Sequence, residues 1–112
     1  MNASITNAPI FRMTAHVRQR YYERVIAQEW RGICHHEKEL WALFKRCQEN
    51  KSWVNNEDFV DFLKAKYGNC KVKIFKDKTT GLVFICRRHE TIVNLFFVTT
   101  CFYPKTGTNV FN

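Results

Sequence analysis

Glycine occurs only 4 times in the 112 residues. No glycine-rich stretch that could cradle phosphates is present, which excludes the nucleotide-hydrolysing folds built on such a loop. Proline is scarcer still, at 2: Pro9 precedes the first apolar segment and Pro104 follows the last. The 5 cysteines are odd in number, and no two of them form a C-x-x-C pair. Neither a disulfide framework nor a paired zinc motif is therefore written into the chain, and reduced, space-filling cysteine is the expectation. The longest apolar run, Ile92-Val93 and then Leu95 to Val98, falls far short of the roughly 20 residues a membrane span needs. Met1 to Pro9 has neither the basic start nor the apolar stretch of a signal peptide, so a cytoplasmic location with no membrane partner is expected.

Acidic residues are also few. Ten Asp and Glu stand against 18 Lys and Arg, a net charge of +8. An excess of that size attracts phosphate-bearing partners over long range and makes their binding salt-dependent. What the chain has in quantity is apolar and aromatic material: 46% hydrophobic residues, with 10 Phe, 4 Tyr and 3 Trp. That is enough for one well-filled core and excludes intrinsic disorder, while the length suits a single domain over residues 1–112.

Periodicity changes once along the chain. Residues 1–8 read as a loose lead-in, and Pro9 to Met13 as a short edge strand. Thr14 offers an N-cap to a helix from about Ala15 to Ala27 or beyond, with Val17, Tyr21, Tyr22, Val25 and Ile26 inward. Gly32 interrupts. A second helix is expected from near His35 to Gln48, with Leu40, Leu43, Phe44 and Cys47 inward and Trp41 at the margin. Asn50 and Ser52 mark a loop. Asn56 caps a third helix, with Glu57 and Asp58 favourably placed in its first turn, which carries Phe59, Phe62, Leu63 and Tyr67 and stops at Gly68-Asn69. From there the period falls to two. Lys71 to Lys76 is a strand with Val72 and Ile74 on one face and Lys73 and Phe75 on the other. Asp77 to Gly81 forms a hairpin turn, Leu82 to Arg87 a second strand, Arg88 to Glu90 a tight connection, and Thr91 to Tyr103 a long strand, apolar on both faces and hence interior. Residues 105–112 read as a loose tail, with Val110 and Phe111 able to dock. The expected class is α+β: two or three N-terminal helices packed on one face of a C-terminal three- to four-stranded antiparallel sheet, whose other face stays open.

Two groups of residues carry chemistry. On the first helix, at about 100° per residue, His16, Arg20, Glu23 and Arg24 share the face opposite Val17, Tyr21 and Val25. An imidazole moves protons near neutral pH, and guanidiniums hold phosphate oxygens and balance the charge of a crowded phosphorane. Glu23 can orient Arg20 or Arg24 by an ion pair, or His16 across a turn. The competing reading is a solvated polar face, which every amphipathic helix has. Arg18 lies in the apolar arc, where it must snorkel outward or meet an acid or a ligand. The second group lies at strand ends: Arg87, Arg88 and His89 on one strand, and Thr99, Thr100, Tyr103 and Lys105 on the last. Lys71, Lys73 and Phe75 add a basic surface with an aromatic that could stack on a base, which Arg87 could join, although an ordinary basic sheet surface reads the same way. Cys34-His35-His36-Glu37 does not make a metal site, because adjacent ligands at a helix start diverge by about 100° and no second Cys/His pair has zinc-site spacing.

The run Met13-Thr14-Ala15-His16, followed by Arg20, Glu23, Arg24 and Ile26, resembles the opening of the small DUF4258-like proteins. Ile92 to Tyr103, with Val98-Thr99-Thr100 before an aromatic end, is similar to their last strand. Those proteins belong with the wider RelE-like and barnase-like ribonuclease-toxin fold, in which helices precede an antiparallel sheet. The resemblance covers well under half of the chain, and the third helix is not part of it. It implies a metal-independent endoribonuclease without a cofactor, in which a ribose 2′-hydroxyl attacks the neighbouring phosphate. It assigns proton transfer to His16, with His89 in reserve, and phosphate binding to Arg20 and Arg24. Charge compensation would fall to Arg87 or Arg88, and positioning or leaving-group protonation to Thr99 or Tyr103. The partner would be RNA, with the cleaving domain itself restrained by an antitoxin-like protein inhibitor. A second class of function fits the same composition: a non-catalytic basic protein, of the kind phages encode, docking on nucleic acid or on a host protein complex. A third is a structural or regulatory dimer contacting through its helical face.

Overall fold

The computed structural model describes residues 8–26, 36–105 and 110–111. The lead-in residues 1–7, the break at Gly32 and the Cys34-His35 pair lie outside them. The described residues form three α-helices and one five-stranded mixed sheet. In chain order these are β1 (Ile10–Met13), α1 (Ala15–Tyr21), α2 (His36–Arg46), β2 (Gln48–Asn50), α3 (Glu57–Tyr67), β3 (Val72–Lys76), β4 (Val83–Arg88) and β5 (Leu95–Phe102). The strands lie in the order β1-β5-β4-β3-β2, with β1 parallel to β5 and every other pair antiparallel.

Side-chain caps set two of the helix starts. Thr14 is extended, and its hydroxyl accepts the Val17 amide at 3.1 Å while donating to the carbonyl of Val98 at 2.8 Å. Asn56 accepts the Phe59 amide at 2.9 Å, and α3 stops at Gly68, whose φ of 66° is cheap only for glycine. α1 is regular only as far as Tyr21, and Ala27 lies outside the described residues. From Tyr22 to Ile26 it widens into a π-helical turn. Such a turn advances less about the axis per residue than an α-turn. Val25 and Ile26 are consequently both buried beside Tyr21, while Tyr22, expected inward, is 38% exposed. Arg18 resolves its position by reaching out to Glu37, with two hydrogen bonds of 2.7 and 3.1 Å.

The expectation of an open sheet face is overturned. α1 and α2 cover one face, where Val17, Tyr21, Leu40 and Phe44 pack on Phe84, Cys86 and Val98. α3 covers much of the other, with Leu63 and Phe59 against Ile74, Val83 and Ile85. The cause is legible in β4: Val83, Phe84, Ile85 and Cys86 are consecutive and all buried, so both faces need an apolar cover. The strand count and direction also differ from the expected antiparallel sheet of three or four strands. β2 has no apolar alternation and exists through its pairing with β3, Gln48 opposite Lys76 and Asn50 opposite Ile74. β1 runs parallel to β5, Ile10 beside Leu95 through Met13 beside Val98. Near the end of the tail Phe111 docks, as its apolar character allowed: it is 4% exposed and stands edge-on to Phe59, with centroids 5.1 Å apart.

β5 begins at Leu95 rather than Thr91. The preceding loop is gathered by His89, whose Nδ1 accepts the amides of Thr91 and Ile92, each at 3.1 Å. Between β3 and β4, Gly81 adopts φ 82° and its amide donates to Asp77 O at 2.7 Å. The carboxylate of Asp77, a residue expected only as part of that turn, is buried. It accepts Nε and Nη2 of Arg46 at 3.0 and 2.8 Å, and the amide and hydroxyl of Thr80 at 3.1 and 2.6 Å. The Arg46 guanidinium, followed by the Thr80 donors, holds this carboxyl far below the ordinary aspartate range against the opposing effect of burial.

A depressed folded-state pKa contributes stability that is complete above the unfolded value, about 3.9, and is lost as the pH falls through the folded one. Asp77→Asn should therefore lower stability at neutral pH by about 1–3 kcal/mol, and should flatten the loss of stability below about pH 4. Urea melts from neutral to acid pH measure both; parallel pH profiles for the two proteins would contradict this role for Asp77.

Candidate functional site

A cleft of about 890 Å³ opens between the outer ridge of α1, the end of β5 and the outer face of α3. That volume lies within the roughly 300–1,000 Å³ typical of ligand pockets. His16, Arg20 and Arg24 line it from α1 and its π-turn, Thr100, Phe102, Tyr103 and Lys105 from β5 and the residues after it, and Phe59, Phe62 and Lys66 from α3. The opening helix and the last strand thus meet at one hollow. They do so because α1 takes over as neighbour of β5 where β1 stops. The Thr14 hydroxyl donates to Val98 O, and further along Arg24 Nη1 donates to Cys101 O at 2.9 Å. The π-turn contributes by holding Arg24 near the line of His16 and Arg20 where a regular helix would carry it further round.

Four permanent cations line the cleft and, among the described residues, no carboxylate does. Glu23 stands outside it and fixes Arg20, accepting Nη1 at 2.7 Å while also accepting Gln19 Nε2 at 3.0 Å. These two hydrogen bonds, that from Arg20 first, lower the Glu23 pKa and keep it ionised. Each guanidinium spends one amino group on the protein, and its remaining N–H donors have no protein acceptor among the described residues. The exposed ring of His16 is tied to no backbone group among those residues. Thr100 is 4% exposed, and its hydroxyl has no protein partner among them, leaving it to water or a ligand. A pocket with fixed cations, an available imidazole and no carboxylate suits a phosphodiester.

Of the residues singled out from sequence, His16, Arg20, Arg24, Thr100, Tyr103 and Lys105 come together here, whereas Thr99, Arg87, Arg88, His89, Lys71, Lys73 and Phe75 do not. Thr99 sits in the β-bulge that shifts the β4–β5 register between Ile85 and Cys86. Its hydroxyl donates to Ile85 O and accepts from Tyr67, both at 3.0 Å, so it is used up in holding strand and helix together. Thr100, its neighbour, is the cleft residue. Arg87 stands one position beyond Ile85 on the same face of β4, with its guanidinium 5.0 Å from the centroid of Phe97. It pairs with Val72, which puts it on the α3 face and not with Lys73 and Phe75. Arg88 is bonded to Lys71 through Arg88 N and Lys71 O at 2.8 Å, outside the cleft. His89 has its Nδ1 engaged in the loop, which leaves only Nε2 for a ligand. The expected open surface of Lys73 and Phe75 is closed. Phe75 packs edge-on against Phe11 and Phe44 at 5.4 and 5.2 Å, and Lys73 lies over Phe96 and 3.6 Å from Glu49.

Sequence reasoning missed Phe62 and Lys66. The signal was available, since an aromatic and a lysine four residues apart must share a face of α3. Only the position of α3 across from α1 gives that face a meaning. Among the described residues, no group of three or more His, Cys, Asp or Glu side chains is arranged to hold a metal. Cys34, His35 and the side chain of His36 lie outside the described residues.

Burial also raises the pKa of three of the thiols, those of Cys47 and Cys101 to about 12 each and that of Cys86 higher still. They are poor nucleophiles. Brief iodoacetamide treatment of the native protein at pH 8, read by peptide mass spectrometry, should leave these three unlabelled until denaturant is added; rapid native labelling of any of them would contradict the burial.

No family model, no curated protein and no solved structure matches this chain.

Proposed function

We propose that the protein binds RNA in this cleft and cleaves it without a metal, as a small toxin-like endoribonuclease. The observation that carries the reading is the convergence of His16, Arg20 and Arg24 with Tyr103 and Lys105 around one cavity. The similarity of the α1 and β5 sequences to the DUF4258-like ribonuclease fold supports the same assignment. A net charge of +8 supplies the long-range attraction for a polyanion.

In this mechanism the scissile phosphate lies between Arg20, Arg24 and Lys105. His16 takes the proton of the ribose 2′-hydroxyl as the O2′–P bond forms, and the P–O5′ bond breaks to leave a cyclic phosphate. Tyr103 delivers a proton to the departing O5′. The guanidiniums and ammonium offset the extra charge of the phosphorane, and the carboxylate of Glu23 holds Arg20 in place without entering the cleft. Thr99 drops out as a participant, because its hydroxyl already bridges β4 and α3. Arg87, Arg88 and His89 lie beyond the cleft and would touch only a longer strand. An acidic protein inhibitor covering the cleft would be complementary to its charge.

Among the described residues no helix is long and apolar enough to cross a membrane, and we assign the activity to the cytoplasm. Binding without cleavage is the second reading, favoured by the exposure of Phe62 and Tyr103 at the rim, 49% and 43%.

Incubation of purified wild type and His16→Ala with total RNA in EDTA separates them. The nuclease reading predicts cyclic-phosphate ends from the wild type and a rate lower by about 10²–10⁴ in the variant. Equal cleavage by both proteins would remove His16 from the mechanism. Salt-sensitive binding with intact RNA in both would leave a binding protein.

A further inference from the structure

The α3 wall gives the cleft a property that the α1 ridge does not have. Phe59 is held in place by edge-on contacts to Trp53 at 6.1 Å and to Phe111 at 5.1 Å. Phe62 stacks on Phe59, with centroids 5.9 Å apart and the planes 29° from parallel. Phe62 is therefore a braced ring, yet it remains 49% exposed at the rim of the cleft. One turn further on, the ammonium of Lys66 lies 5.8 Å from the Phe62 centroid, at the outer end of the cation–π range and on a flexible stem that can swing aside.

An apolar ring braced at the rim beside four cations is unnecessary for binding phosphate alone. It has a use if the ligand carries a flat apolar face within one nucleotide of its charge. We infer that Phe62 is a stacking platform for a nucleobase, with Lys66 taking the adjoining phosphate, so that the cleft accepts single-stranded and not duplex RNA. In an A-form duplex the base faces are stacked on one another, and a side chain at the groove surface cannot reach them. Unpaired strands present those faces, and alternating aromatic and cationic groups are the arrangement that binds them without regard to sequence. This selectivity rests on the reading of the cleft as an RNA site and adds the substrate class to it.

The test uses a fluorescein-labelled 2′-O-methyl oligonucleotide, which cannot be cleaved through a 2′-hydroxyl, alone and annealed to its complement. Anisotropy titrations with the full chain should give tighter binding of the single strand. Phe62→Ala should weaken single-strand binding by about tenfold or more, with duplex binding unchanged. Phe62→Trp should retain or improve it. Circular dichroism should show all three proteins folded at the titration temperature, with Phe62→Ala melting slightly lower because it loses the Phe59 contact. Equal loss for single strand and duplex, or no loss in Phe62→Ala, would overturn the stacking inference while leaving the RNA site standing. Failure of the wild type to bind either probe at low salt would overturn both.

Discussion

β5 has four more residues than the strand that pairs with its outer edge. β1 ends at Met13 opposite Val98, and β5 runs on to Phe102. The backbone groups it turns outward beyond that point need partners. The chain meets the need with a helix: Thr14 covers Val98 O and Arg24 covers Cys101 O. Those two bonds tie the start of α1 and its π-turn to β5 and leave the ridge between them facing the hollow. The Arg24 bond adds a polar tie to the burial of Tyr21, Val25 and Ile26 at the end of α1.

The opposite wall has a different origin. Four consecutive buried residues in β4 require cover on both sides, and α3 provides it on the side where α1 and α2 are absent. It does so with Leu63 as its buried contact, and this leaves Phe62 and Lys66 on its outer aspect, turned across the end of β5 toward α1. The bulge at Thr99 matters to both walls. It moves Thr100 into register with Ile85 and so gives the cleft its floor, while the Thr99 hydroxyl links β4 to Tyr67 of α3. Charge accumulates in the hollow because the acidic partners lie elsewhere. Glu23 sits outside it on α1, Glu37 is taken by Arg18, and Asp77 by Arg46 on the far side of the hairpin.

How much of this the sequence disclosed depends on the range of the interaction. Local chemistry was legible: Thr14 and Asn56 are caps, Gly68 ends α3, Gly81 turns the hairpin, and His16, Arg20 and Arg24 share a ridge. Interactions between distant segments were not. Gln48–Asn50 has no strand pattern because its pairing with β3 creates it. Pro9 to Met13 read as an edge strand but carried no sign of being parallel to β5. Lys73 and Phe75 alternate as they should, yet whether that face meets water or α2 is decided by where β1 and α2 settle. Thr99 and Thr100 were indistinguishable until the bulge assigned one to the frame and the other to the cleft. Asp77 read as a turn residue, and its bonds to Arg46, which is 31 positions earlier, were invisible.

The central claim is that two helices and one strand end act on a single ligand as one site. Heteronuclear NMR during titration with the non-cleavable single-stranded oligonucleotide tests it most directly. The account predicts that the His16 imidazole, the Arg20 and Lys66 side chains and the amides from Thr100 to Lys105 shift together, with one dissociation constant. Shifts confined to Arg87, Arg88 and His89, or a silent His16 ring at saturation, would contradict it.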